Sequence, residues 1–231
     1  MKSNYKANLK KEIDYNMDYH LDKFGKWIKD QDLYEAKGKV AKKNIFDFDF
    51  NENSNVLEVG CGVGQITAWI KDKSCFELNQ KLYPLLQSKG FKTYKNIKEV
   101  PNDCYDEVVM SMVLEHIENP VKFINDWKQK LKIGGKIRLN LPCAFYHQMQ
   151  DMNSSHNGHY FAWGFPDINY LLNRCGFKVL INKKVWRKGI DRFINLYRWF
   201  GFNTYYLAIT LAGMLFTPND FDIVIVAERI K

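Results

Sequence analysis

The run NVLEVGCGVGQ, residues 55–65, decides how the rest of the chain is read. Val56, Leu57 and Val59 form a short apolar, β-branched stretch with one carboxylate, Glu58, inside it. Gly60, Gly62 and Gly64 follow at once, so a buried strand should end in a glycine turn. Glycine has no Cβ; it permits the dihedrals of a sharp turn and lets backbone N–H groups approach a ligand closely. Ile66, Trp69 and Ile70 then recur at three- and four-residue spacing, which predicts a helix starting at Gln65. Glu77, in SCFEL, lies at about the twenty-residue offset at which a ribose-binding acid sits in nucleotide folds. Turn and acid together point to a nucleoside.

The glycine spacing narrows the choice. A dinucleotide fingerprint requires glycine at its first, third and sixth positions, and the sixth here is Gln65. The stretch resembles instead the E-x-G-x-G-x-G motif of the class I S-adenosylmethionine-dependent methyltransferases, carried by Glu58, Gly60, Gly62 and Gly64. Two later segments are similar to that superfamily's fourth and fifth strands with their loops: DEVVMSMVLEHIENP (residues 106–120) and GGKIRLNLP (residues 134–142). The resemblance implies a Rossmann-like α/β fold with a seven-stranded, mostly parallel sheet, an antiparallel last strand and helices on both faces. It also implies S-adenosylmethionine as cofactor. The implied cofactor residues are Glu58, Gly60, Cys61, Gly62, Gly64 and Gln65 of the turn, then Glu77 and Leu78, Asn96 and Ile97, and Ser111, Met112 and Leu114. Asn96 stands where the superfamily usually has an acid, and an amide can still bond an adenine edge.

With 231 residues, 46% of them hydrophobic, the chain can bury one substantial core, so a single domain is expected. Residues 1–50 should form a helical cover, 51–185 the cofactor-binding core, 186–219 an inserted basic and aromatic helical element, and 220–231 the final strand. The first residues lack an apolar run and a small-residue cleavage site, which predicts neither secretion nor an N-terminal anchor. Five scattered cysteines without a C-x-x-C predict reduced thiols in a cytoplasmic protein.

The net charge of +8 is unevenly spread. Residues 44–169 hold 13 basic against 15 acidic side chains, whereas residues 171–216 hold 8 against 1. Basicity concentrated in the second segment predicts an anionic partner there, such as the inner face of a membrane, a phosphorylated substrate or nucleic acid. Residues 199–216 contain no charge and, by length alone, reach the lower limit of a spanning helix. A span is not expected, because the strand at 221–227 must rejoin the sheet beside the one at 177–181. One or two helices projecting from the sheet edge are expected instead, covering a membrane, a lipid-bearing substrate or a dimer partner.

Elsewhere the pattern alternates strand and helix, hence a parallel sheet. Strands are expected near 74–77, 91–94, 108–110 and 136–141, and helices at 80–89 and 167–175. Asn119 with Pro120 forms a helix start, and Val121, Phe123, Ile124, Trp127 and Leu131 fall on one helix face.

Substrate recognition should come from the segment after Pro142, outside the carboxyl ends of the strands. It contains His147, His156, His159 and Tyr160. Its H-x-x-H-Y-F-x-W run resembles bacterial methyltransferases of glycan, lipid and quinone pathways. Histidine titrates near neutrality and suits proton removal from a hydroxyl, so His159, His156, His147 and His116 of the LEH tripeptide are the candidate bases. No metal site is expected, since these residues show no firm ligand spacing. The reading is O-methylation of a small hydroxylated substrate, whether sugar, lipid-linked or quinone-like. N-methylation of a small amine, a protein or RNA substrate, or cofactor binding without catalysis are the alternatives. Nucleic acid is the less expected partner, and either a monomer or a homodimer fits.

Overall fold

A computed structural model describes residues 25–143 and 159–230. Seven strands form one sheet: β1 (Val56–Val59), β2 (Lys73–Phe76), β3 (Lys92–Tyr94), β4 (Tyr105–Ser111), β5 (Leu131–Pro142), β6 (Phe177–Val185) and β7 (Asp222–Arg229). Their order is β3-β2-β1-β4-β5-β7-β6. Strands β1 to β5 run parallel, and β7 lies antiparallel between β5 and β6. The seven-stranded, mostly parallel Rossmann-like sheet expected from the sequence is present.

Helices among the described residues include α1 (Gln31–Ile45), α2 (Tyr83–Ser88), α3 (Pro120–Lys128), α4 (Phe165–Arg174) and α5 (Ile194–Phe216). Local chemistry explains several ends. The Asp30 carboxylate accepts the Leu33 amide and caps α1, whose last turn carries Lys42 and Lys43 against the negative end of the helix dipole. The Asn119 side chain accepts the Lys122 amide ahead of Pro120, as its sequence position predicts.

Side chains alternate across a strand, and the sheet's two faces bury different things. One face packs Leu57, Val59, Val108, Met110, Leu139 and Ile225 against Ile124 and Trp127 of α3 and Ile168 and Leu172 of α4. The other packs Val56, Val109 and Val224 against Ala41 and Ile45 of α1. This second face also carries the buried polar residues Glu58, Glu107, Arg138 and Asn140. Buried charge requires partners. Arg138 gives Nε and Nη2 to the two Glu107 carboxylate oxygens at 2.8 and 2.9 Å, and its other N–H groups reach the carbonyls of Ile45, Phe48 and Asp49. One guanidinium thus joins β4 and β5 to the chain leaving α1.

Three expectations are corrected. No helix follows the glycine turn: residues 61–70 form successive turns. Thr67 is drawn to Glu58 and the Trp69 indole donates to the Ile66 carbonyl, while the apolar spacing buries Ile66 and Ile70 in the core. Leu131 opens β5 rather than ending α3. The helix expected at 80–89 is a 3-10 turn, Gln80–Leu82, followed by the short α2. Finally, the helical insertion expected between β6 and β7 is present, but one side of it is packed on α1. It forms α5, kinked at Gly201 (φ 79°), and its Ile194, Tyr205 and Ile209 bury against Leu33, Ala36 and Val40 of α1.

Candidate functional site

The site forms where β1, β2 and β4 end. Beyond β1 the chain turns through Gly60, Gly62 and Gly64, all at positive φ (69°, 53° and 76°), a region side-chain-bearing residues rarely adopt. A Cβ on Gly60 would stand 2.7 Å from Val113 Cγ2, and one on Gly64 within 3.0 Å of Phe91 and Leu86. The bare backbone therefore lets the β1 and β4 loops close on one another.

Several groups hold this turn in place. The Gly60 amide donates to the Phe76 carbonyl at 2.8 Å, tying the turn to β2. The buried Tyr34 hydroxyl, reaching from α1, donates to the Val63 carbonyl at 3.1 Å. Burial raises the Tyr34 phenol well above its ordinary range, so it remains a donor. Gly38 of α1 lies so close that a Cβ there would meet the Gln65 carbonyl at 3.0 Å. Underneath, Thr67 donates its hydroxyl to the Glu58 carboxyl at 2.5 Å. Burial pushes Glu58 up to about 8; the Thr67 hydrogen bond pulls against this and the Glu77 charge adds to it. Glu58 is thus a buried support of the turn.

Glu77 comes immediately after β2, at the carboxyl end where its offset predicts an acid. It is 7% exposed. Its Oε2 accepts the Gly62 amide and its Oε1 the Asn79 amide, each at 2.9 Å. A carboxylate has further lone pairs on both oxygens, so these bonds orient Glu77 while leaving it able to accept from a ribose diol.

The remaining expected contacts divide. Gly60, Leu78 and Asn96 are exposed, and Gly62, Gln65, Ile97, Ser111 and Met112 are half-buried around the strand ends. Asn96 uses its side-chain oxygen to accept the Lys98 amide. Met112 has a positive φ of 57°, a strained conformation at the end of β4. Its amide donates to the Asn140 carbonyl, and the Asn140 side chain donates to Ser111 Oγ at 2.9 Å. Leu114 and Cys61 lie deeper than these. Leu114 is fully buried in the core, and Cys61, 3% exposed, packs beneath the turn with Val63, Cys75 and Leu82. Neither side chain has surface to offer a ligand.

Past β4, Leu114–His116 form a 3-10 turn. The Glu115 carbonyl accepts the amides of Tyr160 and Phe161, at 2.8 and 3.3 Å, which brings His159 beside His116. The two imidazoles meet edge to face with centroids 4.6 Å apart. The Glu115 carboxylate, 1% exposed, lies 4.0 Å from His116 Nε2. One donor atom from each of Glu115, His116 and His159 falls within 4.8 Å of the others, a grouping that could pass a proton or hold a cation. Nothing in the sequence spacing of Glu115, His116 and His159 marks this grouping, since the three meet only through the fold. His147 and His156 lie outside the described residues.

Comparison with known proteins agrees with this geometry. A family model described as a methyltransferase domain matches residues 31–181. An uncharacterized protein of Methanocaldococcus jannaschii is 23% identical over 184 residues, 76% of this chain and 87% of its own length. A mitochondrial ubiquinone biosynthesis O-methyltransferase of Dictyostelium discoideum is 29% identical over 110 residues, 37% of this chain and 34% of its own. The Burkholderia thailandensis 1,6-didemethyltoxoflavin-N1-methyltransferase, solved with its substrate and S-adenosylhomocysteine, superposes with a TM-score of 0.58 at 13% identity. That match covers 93% of this chain and 85% of the other. The exposed Gly60 backbone, the positive-φ glycines and the oriented Glu77 carboxylate fit an adenosyl group, and the chain belongs to the methyltransferase-domain family of class I S-adenosylmethionine-dependent methyltransferases.

Proposed function

We propose that this methyltransferase methylates a hydroxyl of a small acceptor, of sugar, lipid-linked or quinone-like type, with His159 receiving the hydroxyl proton. The observation that carries the reading is the pairing of His159 with His116 and the buried Glu115 at the end of β4, next to the loop that packs on Gly60. The cofactor supplies a methyl group already activated by its sulfonium.

The chain's own tasks are therefore positioning and proton management. The Gly60–Gly64 backbone and Glu77 would hold the adenosyl end, with Asn96 and Ile97 at the adenine edge and Ser111 and Met112 flanking the methionyl side. As oxygen bonds to the methyl carbon and the carbon–sulfur bond breaks, the hydroxyl proton passes to an imidazole. An adjacent imidazole and carboxylate would steady the charge that this proton brings. A hydroxyl needs such help more than an amine, whose lone pair is already available. That difference favours oxygen over the nitrogen acceptor of the toxoflavin enzyme.

The test is incubation with methyl-labelled S-adenosylmethionine and fractionated host extract. Label that enters a small or lipid-extractable product and is released as methyl iodide by hydriodic acid, under conditions that cleave O-methyl ethers and leave N-methyl amines intact, supports the reading. Label confined to RNA, protein or amines overturns it. Repeating the assay after chelation tells a proton-transfer role for Glu115, His116 and His159, which survives, from a cation-dependent one, which does not.

A further inference from the structure

The two sides of α5 differ in what they meet. One side is packed on α1 through Ile194, Tyr205 and Ile209. The other leaves Trp199, Phe200, Leu207, Leu211, Leu215 and Phe216 open to solvent at 44 to 80% exposure. Beyond the kink at Gly201, Leu207, Leu211 and Leu215 follow at intervals of four, so they share one helical face. Scattered exposed apolar residues are ordinary, but a continuous row of large ones marks an interaction surface.

Charge distinguishes the occupants of such a face. Residues 199–216 contain no charged side chain, and residues 171–216 hold 8 basic side chains against the single acid Asp191. Asp191 is itself engaged by Lys26 and by the Trp27 indole. Arg187 and Lys188 are balanced by Asp222 and Asp220, and Arg198 is held by two acids, Asp30 and Asp32. Arg192, exposed just before α5, and Lys39, bonded to the Tyr197 hydroxyl on α5 at 2.7 Å, put positive charge at the start of the helix. A two-fold dimer would set against one another two copies of a segment that holds a single acid. An anionic lipid surface complements both the apolar row and the positive charge at its start.

Topology and composition decide how the helix would meet lipid. Among the described residues no helix is long and apolar enough to cross a membrane. The strands on either side of α5, β6 and β7, are hydrogen-bonded neighbours in one sheet, so both ends of the helix stay on the same side. A helix so tethered lies along the surface.

We propose that α5 is a membrane-surface docking element, seating the protein on anionic lipid bilayers with the Trp199–Phe216 row in the headgroup boundary. The proposal is independent of which atom is methylated. It has a consequence for orientation, since α5 packs on α1 and α1 carries the Tyr34 and Gly38 contacts to the glycine turn. Docking would fix the angle of the cofactor turn to the bilayer from about two helix diameters away.

Flotation with phosphatidylcholine vesicles, with and without phosphatidylglycerol, tests this. Wild type should co-float with the mixed vesicles, much less with phosphatidylcholine alone, and less again at high salt. Leu215→Ser with Phe216→Ser, both at exposed positions, should lower partitioning by about tenfold or more while calorimetric affinity for S-adenosylhomocysteine is unchanged. Arg192→Glu should weaken binding to the mixed vesicles only. Tyr170→Ser, at an exposed aromatic on α4, should change nothing. The proposal is overturned if wild type stays in the soluble fraction with both lipids, or if the serine pair floats as well as wild type. It is equally overturned if sedimentation shows a dimer that the serine pair dissolves while neither protein floats, in which case a second copy covers the face.

Discussion

The Glu77 carboxylate accepts the amide hydrogen of Gly62 at 2.9 Å, so the acid after β2 and the turn after β1 form one unit. A ligand bound there meets both together, and a change in either should be felt at the same binding step.

Gly62→Val should abolish binding of S-adenosylmethionine and its demethylated product. Its φ of 53° is unfavourable for a β-branched residue, and the side chain would fill the space over the turn. Glu77→Ala should weaken binding by about 1.5–3 kcal/mol through lost charge-assisted hydrogen bonds. Calorimetry checks both, and unchanged affinity in both variants would remove the cofactor from this turn.

His159→Asn should preserve cofactor affinity and lose turnover, with the residual rate rising as pH increases and the acceptor ionises by itself. His116→Asn should show a smaller loss in the same direction, since its ring supports that of His159. Wild-type turnover in both variants would make the pair structural.

Glu58 gives a pH signature. Burial raises its carboxyl from 4.5 to about 8, so the folded chain holds a proton that the unfolded chain releases. The unfolded state binds fewer protons between those values, and stability from this group falls as pH rises from 4.5 to about 8. Glu58→Gln keeps the shape without the charge. Its melting temperature should match wild type near pH 5 and exceed it at about pH 8, flattening the profile. Parallel profiles for the two proteins would refute this.

Arg138→Met leaves Glu107 buried without its cation and frees three carbonyls of the α1 exit. Breaking one partner of a buried pair costs about 3–5 kcal/mol, far more than losing a surface pair. Denaturant titration should show that loss, and Glu107→Gln with Arg138→Met should recover part of it. A loss within about 1 kcal/mol would mean the pair is solvent-relaxed.

Much of the fold was legible because it depends on neighbours in sequence. A β-branched run ended by glycines determines a strand and its turn, and the cap at Asn119 followed by Pro120 determines where α3 begins. Strand–helix alternation determines a parallel sheet, and Glu77 falls at its strand end from its offset alone. What depends on distant partners was settled only by folding. The spacing of Ile66, Trp69 and Ile70 encodes burial, which successive turns satisfy as well as a helix once Thr67 reaches Glu58. Nothing adjacent to Leu114 or Cys61 tells how deeply their side chains are buried; only the packing around them does. Arg138 and Glu107 lie on different strands, and His159 reaches His116 because the Glu115 carbonyl binds the chain beyond it. The charge-free stretch from Trp199 to Phe216 was plain in the sequence, but which side of it meets α1 and which is left to solvent was decided by the packing of Tyr205 and Ile209. Sequence determines which residues are apolar, charged or conformationally free, and the tertiary structure decides which of them meet.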